Sequence, residues 1–258
     1  MEIVIALGVC FITFLILRGG WTAGNRAMAF EASPDALIMG ALAVAAAVYF
    51  IGAYAGAALI VTVIIHEFGH VAAYRVAGHD DARFRLVPLM GGVAISNRLP
   101  DSPLKDFYIS LMGPAICIAP TLLALFTSPY AYQIYPPAGY FLWVFASFSG
   151  ALNFFNLLPL WPLDGGRCTR ILALELAPKY ANAITITMSI ALAAIALYLR
   201  AYLLLGFALI TLPSALQPVN YVVVSPMRKS HALVALTAYI FTAVFFLFAG
   251  FSFLANWL

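Results

Sequence analysis

Apolar stretches of membrane-spanning length, separated by short polar segments, run along the whole chain. Ile3 to Leu17 is the first; its basic neighbour Arg18 follows the stretch instead of preceding it, which predicts a retained span and not a cleaved signal. Arg18 to Asp35 is polar and contains Trp21, a residue suited to the headgroup zone, and Ser33-Pro34-Asp35 marks the next helix start. The apolar run from Ala36 to Ala77 holds 42 residues. As helix it would reach about 63 Å, twice the roughly 30 Å of a bilayer core, so it predicts a hairpin of two spans. Gly52 is the expected turn, although Gly52 and Gly56 form a G-x-x-x-G pair that also suits close helix packing.

Gly78 to Pro103 is the most polar segment, yet Phe84 to Pro88 and Gly92 to Ser96 have strand-forming content around Leu89-Met90-Gly91, which predicts a small β hairpin. Ser102 as cap and Pro103 at the first helical position open a span over about 104–126, kinked by Gly113-Pro114 and Pro120. A loop is expected over Ser128 to Pro137, then a span over about 139–158 that ends where Pro159, Pro162, Gly165 and Gly166 break the helix. Arg167 to Ala177 predicts a short interfacial helix, and Ala183 to Leu199, Ala201 to Leu216 and His231 to Trp257 supply the last spans. The expected fold is an all-α polytopic membrane protein of about eight (six to eight) transmembrane helices with a small membrane-associated β hairpin. It divides into N-terminal spans (1–53), a core (54–177, with the β segment at 82–96) and C-terminal spans (183–258) within one membrane domain.

Composition agrees: 64% of the 258 residues are hydrophobic and 9% charged, where soluble domains carry roughly 25% charged residues. The net charge of +3 is small and scattered, which argues against nucleic acid as a partner. Alternating spans from an external N-terminus put every basic residue except Arg200 on one face, that is twelve of the thirteen, and removing the Gly52 turn would spoil this agreement. The basic face is therefore expected to be cytoplasmic, in a cell membrane of prokaryotic type. Cys10, Cys117 and Cys168 are isolated and suit buried apolar positions.

From Ala36 to Ile65 there is no charged residue, and then His66-Glu67-Phe68-Gly69-His70 follows. Residues i and i+4 share one helix face, so His66 and His70 can offer nitrogens to one metal. Glu67, about 100° round the helix, can take a proton from a water on that metal without serving as a ligand. A carboxylate in hydrocarbon costs roughly 2.5–3.5 kcal/mol on insertion scales, so such a residue is a functional candidate. A catalytic zinc takes three protein ligands and a water, and a carboxylate is the expected third. Among the acids, Asp164 alone reaches the same depth on the same side; the others, Asp106 included, fall in predicted loops or surface helices. The plainer reading of Asp164 is a turn residue or helix cap before Gly165-Gly166. His79 and His231 fit solvated surface.

Together, the embedded H-E-x-x-H, Asn156-Leu157-Leu158-Pro159 and Pro162-Leu163-Asp164-Gly165-Gly166-Arg167 resemble the site-2 protease family of intramembrane zinc metalloproteases. Met90-Gly91-Gly92-Val93 and Met112-Gly113-Pro114 look like further features of that family's core, so that the resemblance covers roughly Ile60 to Ala177. It implies one zinc per chain on His66, His70 and Asp164, with Glu67 activating the water, and hydrolysis of peptide bonds in or near transmembrane segments of single-span membrane proteins. It also implies substrate contacts from Asn156, with Asn153 one turn earlier as a second candidate, and a strand edge at Gly91, Gly92 and Val93 for an unwound substrate. Helix-to-helix hydrogen bonding is the alternative for both amides, and a plain loop for the strand segment. No insert between spans is long enough for a PDZ domain, so substrate filtering is expected to work without one or through a separate regulatory or adaptor protein.

Two other classes compete. A membrane metal-ion transporter would need more than one station across the bilayer, and the deep ionisable residues make one cluster. A catalytically silent membrane chaperone would have no use for Glu67. An aspartyl protease needs two membrane aspartates, and a serine protease needs an exposed nucleophile for which no G-x-S-x-G turn is present.

Overall fold

In the computed structural model, which describes residues 1–21, 30, 33–87, 91–215 and 226–254, the long apolar run breaks at one residue. Gly52, at φ +86° and ψ 164°, separates α2 (Pro34–Ile51) from α3 (Ala53–Val76) in a conformation reserved for glycine. Gly56 also packs α3 on α2, since a side chain there would strike the backbone of Ala47 and Val48. Both readings of the G-x-x-x-G pair therefore hold, one glycine turning the chain and the other letting the arms touch.

α1 (Glu2–Trp21) precedes this hairpin and extends to Trp21, beyond the predicted end at Leu17; the rest of the predicted loop to Ser33 lies outside the described residues except Phe30. α3 ends in a left-handed glycine cap: Gly78 has φ +99°, its N–H donates to the Arg75 carbonyl, and the His79 N–H donates to the Tyr74 carbonyl. This turn folds His79 back under the helix. His79 is thus buried against the Tyr74 ring, with Nδ1 3.1 Å from Ser96 Oγ, contrary to the expected solvated surface. The same knot includes Asp81, whose carboxylate accepts the Asn97 N–H at 2.6 Å. That bond, with the Ser96 hydroxyl, holds the Asp81 carboxyl below the usual range.

β1 (Arg83–Val87) and β2 (Gly91–Ile95) pair antiparallel with Phe84 opposite Ala94 and Leu86 opposite Gly92, and Phe84 and Leu86 face the core. Phe30 makes a parallel bridge to Phe84 on the outer edge of β1. β2 has no strand on its other edge among the described residues. The Leu89-Met90 part of the predicted turn lies outside them.

The predicted span 104–126 is longer and broken. α4 (Pro103–Ile116) starts with the Ser102 side chain accepting the Lys105 N–H, and α5 (Ile118–Ile134) continues after a break at Cys117, three residues past Pro114. The loop expected over Ser128 to Pro137 shrinks to Tyr135: α5 runs to Ile134 and α6 (Pro136–Asn156) starts at once. Extended geometry at Tyr135 is what a following proline enforces, and proline suits the first position of α6. α7 begins three residues earlier than expected, at Asp164 (Asp164–Leu176). A short turn over Pro178–Tyr180 leads to α8 (Ala181–Tyr198), and α9 (Tyr202–Ala215) and α10 (Lys229–Leu254) follow.

Among the described residues, seven helical stretches are long and apolar enough to cross a membrane, with α4 and α5 counted as one. The eighth expected span corresponds to α9, which at 14 described residues covers only about 21 Å. The chain nevertheless returns across the bundle there: α8 leads away from α7, Arg200 turns it at φ +58°, and the Met227 N–H bonds Glu175 at the end of α7. Large apolar side chains cover the outside, including Phe11, Ile12, Phe241 and Phe248, as a hydrocarbon solvent requires. The protein is a multi-pass membrane protein. Its main core lies where α3, α4, α7 and α10 meet, around Val71, Phe107, Ile109, Ile171 and Phe246.

Because no side chain except hydrogen suits the Gly52 backbone, Gly52→Ala is expected to cost about 1–3 kcal/mol. It should lower the melting temperature in detergent, while Gly8→Ala, at an open mid-helix position, leaves it unchanged or raises it.

Candidate metal centre

His66, Glu67 and His70 lie in the second half of α3, and all three are buried. About 20 Å of helix separates His66 from Ala53, but only about 9 Å separates His70 from Val76. The far end of the bundle carries exposed Tyr49, Phe50, Tyr54, Tyr132, Tyr135, Tyr140 and Trp143, an aromatic belt of the kind that sits at headgroup level. The site is therefore closer to the β-hairpin side of the membrane.

Hydrogen bonds fix both imidazoles. His70 Nδ1 lies 2.8 Å from the carbonyl of Ile109, which can only accept, so Nδ1 carries the proton. His66 Nδ1 lies 2.8 Å from Asn153 Oδ1, while Asn153 Nδ2 donates to the Ser149 carbonyl at 2.8 Å, so here too Nδ1–H is the donor. Both Nε2 atoms are left with a lone pair, and they point at each other across 3.1 Å. Asp164 completes the group, with Oδ2 3.1 Å from His66 Nε2 and Oδ1 3.3 Å from His70 Nε2. Three donor atoms thus converge in a mostly buried space, each with a lone pair to offer a cation when both imidazoles are neutral. A cation is what such a set requires, and a tetrahedral ion with bonds of about 2.0–2.1 Å would hold its ligand atoms at roughly these separations.

The backbone around the site is shaped to admit it. The imidazole of His70 lies flat on Gly113, where any side chain would overlap the ring. The Gly113-Pro114 pair, predicted as a kink, is therefore also a seat. Asp164 comes into place because Gly165 rests on the Leu157 and Leu158 carbonyls and Gly166 on that of Leu160, so the helix start can press against the broken end of α6. Arg167, one turn on, pairs with the buried carboxylate of Asp106 on α4. Asp106 is thus not the surface acid its polar neighbourhood suggested: Pro103 and Ser102 start α4 at the inner wall of the bundle, and Arg167 from α7 meets the charge there.

Glu67 is 7% exposed and lies against β2: a side chain at Gly92 would strike its Cγ and carboxyl. Gly92 of β2 thus lies beside the carboxylate, and Val93, next along, is exposed. Asn153, expected among the substrate contacts, is fully buried and committed to His66 and Ser149, whose hydroxyl in turn meets Thr121 at 2.6 Å. Asn156 is half-buried one turn later, at the end of α6. Ser149, Thr121 and the Ile109 carbonyl went unrecognised in the sequence; Ser149 and Asn153 at i and i+4 on an apolar helix were the available signal.

Two family models match the chain, Peptidase M50B-like over residues 39–158 and Peptidase family M50 over 131–198. The first contains His66, Glu67 and His70, and the second contains Asp164. The chain belongs to the M50, or site-2 protease, family. Relatives include a zinc metalloprotease of Methanocaldococcus jannaschii, 28% identical over 180 residues, which are 70% of this chain and 44% of that protein. Rip3 of Mycobacterium tuberculosis is 31% identical over 124 residues, 47% of this chain and 31% of its own. The chain thus spans less than half the length of the curated relatives it matches. The solved structure of a site-2 protease from M. jannaschii aligns with 76% of this chain and 93% of its own at 22% identity, with a TM-score of 0.43, a likeness too loose to position any residue.

If Asn153 orients His66 for a metal, Asn153→Ala should weaken zinc binding about 10–100-fold, measured by competition with a chromophoric chelator. An unchanged affinity would show that the amide serves only helix packing.

Proposed function

We propose that this site-2 protease family member is an intramembrane zinc metalloendopeptidase, cutting single-span membrane proteins in or beside the bilayer. The convergence of His66 Nε2, His70 Nε2 and Asp164 on one point, with a buried carboxylate on the next residue of the same helix, carries this reading. Zinc at that point would lower the pKa of a water molecule and polarise the scissile carbonyl. His66, His70 and Asp164 would hold it. Glu67, buried beside Gly92, takes the proton of the attacking water and passes it to the leaving amide nitrogen.

β2 supports the rest of the reading. Phe30 covers the outer edge of β1, and the edge of β2 has no strand on it among the described residues, so an unwound substrate could add there through its backbone, alongside Glu67. Gly91, Gly92 and Val93 then line the bound segment, with Asn156, half-buried at the end of α6, as a donor to it. Asn153 belongs to the metal site instead, because both ends of its amide are occupied. The core 54–177 carries the chemistry. The distribution of basic residues supports a site toward the cytoplasmic side, the prokaryotic relatives support a prokaryotic cell membrane, and regulation through a separate adaptor fits the short inserts. A transporter reading loses ground, since the described residues contain one metal-binding group and no second station.

The deciding experiment compares wild type with Glu67→Gln on a panel of single-span reporter proteins in liposomes, with zinc content measured in both. Equal zinc and a loss of cleavage by about 10²–10⁴-fold in the variant is expected. A variant that cuts like wild type, or wild type that cuts with no metal bound, would refute the mechanism.

A further inference from the structure

α10 lies outside the stretch 39–198 matched by the family models, yet it is fastened to both helices that end at the site. On α6, Gly150 and Gly250 bring the backbones into direct contact, since a side chain at either would strike the other helix. Asn153 lies one turn beyond Gly150. Just before α10, the Met227 N–H donates to Glu175 Oε2 of α7 at 2.9 Å. Between these points the Tyr239 hydroxyl, itself buried, donates to the Leu157 carbonyl at 2.6 Å.

That carbonyl occupies a critical place. Leu157 is the residue at which α6 stops, and a helix-end carbonyl inside an apolar bundle needs a donor that the helix no longer provides. Gly165 rests on the same carbonyl group, and Gly165 follows Asp164. The Tyr239 hydroxyl, the Leu157 peptide, Gly165 and Asp164 therefore form one continuous stack. We propose that Tyr239 is a positioning residue for Asp164: its hydroxyl fixes the Leu157 peptide and so sets the carboxylate against His66 and His70. α10 is then part of the frame of the site. This rests on the metal-site reading above.

The test uses the purified full chain in detergent and three proteins: wild type, Tyr239→Phe, and Thr242→Val, which removes an equally buried hydroxyl of α10 that bonds the helix's own Ala238 carbonyl. Zinc affinity, melting temperature and the visible spectrum of the cobalt(II)-loaded protein are recorded for each. Tyr239→Phe should bind zinc about tenfold more weakly with a changed cobalt spectrum, and Thr242→Val should match wild type. Replacing Tyr239 by 3-fluorotyrosine, which keeps the hydroxyl, should restore both readouts. Wild-type affinity and spectrum in Tyr239→Phe, equal losses in both variants, or no recovery with fluorotyrosine would overturn the proposal. Wild type that binds no zinc would instead overturn the metal-site reading, and it does so without reference to any variant.

Discussion

Two imidazole nitrogens and a carboxylate face one another across about 3 Å inside an apolar bundle, and a positive charge among them, carried by a proton or a metal ion, is what offsets their mutual repulsion. Ile109 and Asn153 each hold a proton on the outward nitrogen, so the neutral imidazoles turn their lone pairs inward. A cation turns the same geometry from a liability into a link between α3 and α7. Much of the architecture serves to bring these groups together. The Gly52 hairpin places α3, Gly113 lets the His70 ring lie against α4, Gly165 and Gly166 bring in Asp164, and Asp106 receives Arg167 behind it.

A second constraint comes from the solvent. In hydrocarbon every backbone donor and acceptor must find a partner within the protein, yet the site needs α6 to stop and α7 to begin below the membrane surface. The break is supported peptide by peptide: Leu157 N–H returns to the Asn153 carbonyl, Leu163 N–H reaches the Leu160 carbonyl, and the Leu157 carbonyl takes the Tyr239 hydroxyl. Irregular chain at depth is thus tolerated where it is enclosed by α4, α7 and α10. The β hairpin solves the related problem at the membrane border, with its base knotted by His79, Ser96 and Asp81 and one edge bridged by Phe30.

Much of this was legible from residue type and spacing. The i, i+4 histidines, the base between them and the depth argument for Asp164 need only helix periodicity and the count of crossings. The strand pair and the Gly52 turn follow from local signals. What escaped depends on contacts between distant segments. Asp106 and Arg167 are 61 positions apart, and each looks like an ordinary interfacial charge by itself. His79 is buried because Gly78 turns the chain back, which its acidic neighbours hid. That Asn153 would need a partner was predictable from an amide at depth; that the partner is His66 was not. Tyr239 binds a backbone carbonyl, which has no signature in sequence. The stretch 128–137, expected as a loop, is helical except at Tyr135, because Pro136 and Pro137 stand in the first turn of α6 and α5 carries Pro129 within it.

Zinc K-edge X-ray absorption on the purified, metal-replete protein tests the central claim most directly. The account predicts one zinc per chain with about two imidazole nitrogens and oxygen donors at about 2.0–2.1 Å, and no sulfur. A sulfur shell near about 2.3 Å, which would point to Cys117 or Cys168, or the lack of any bound zinc, would contradict it.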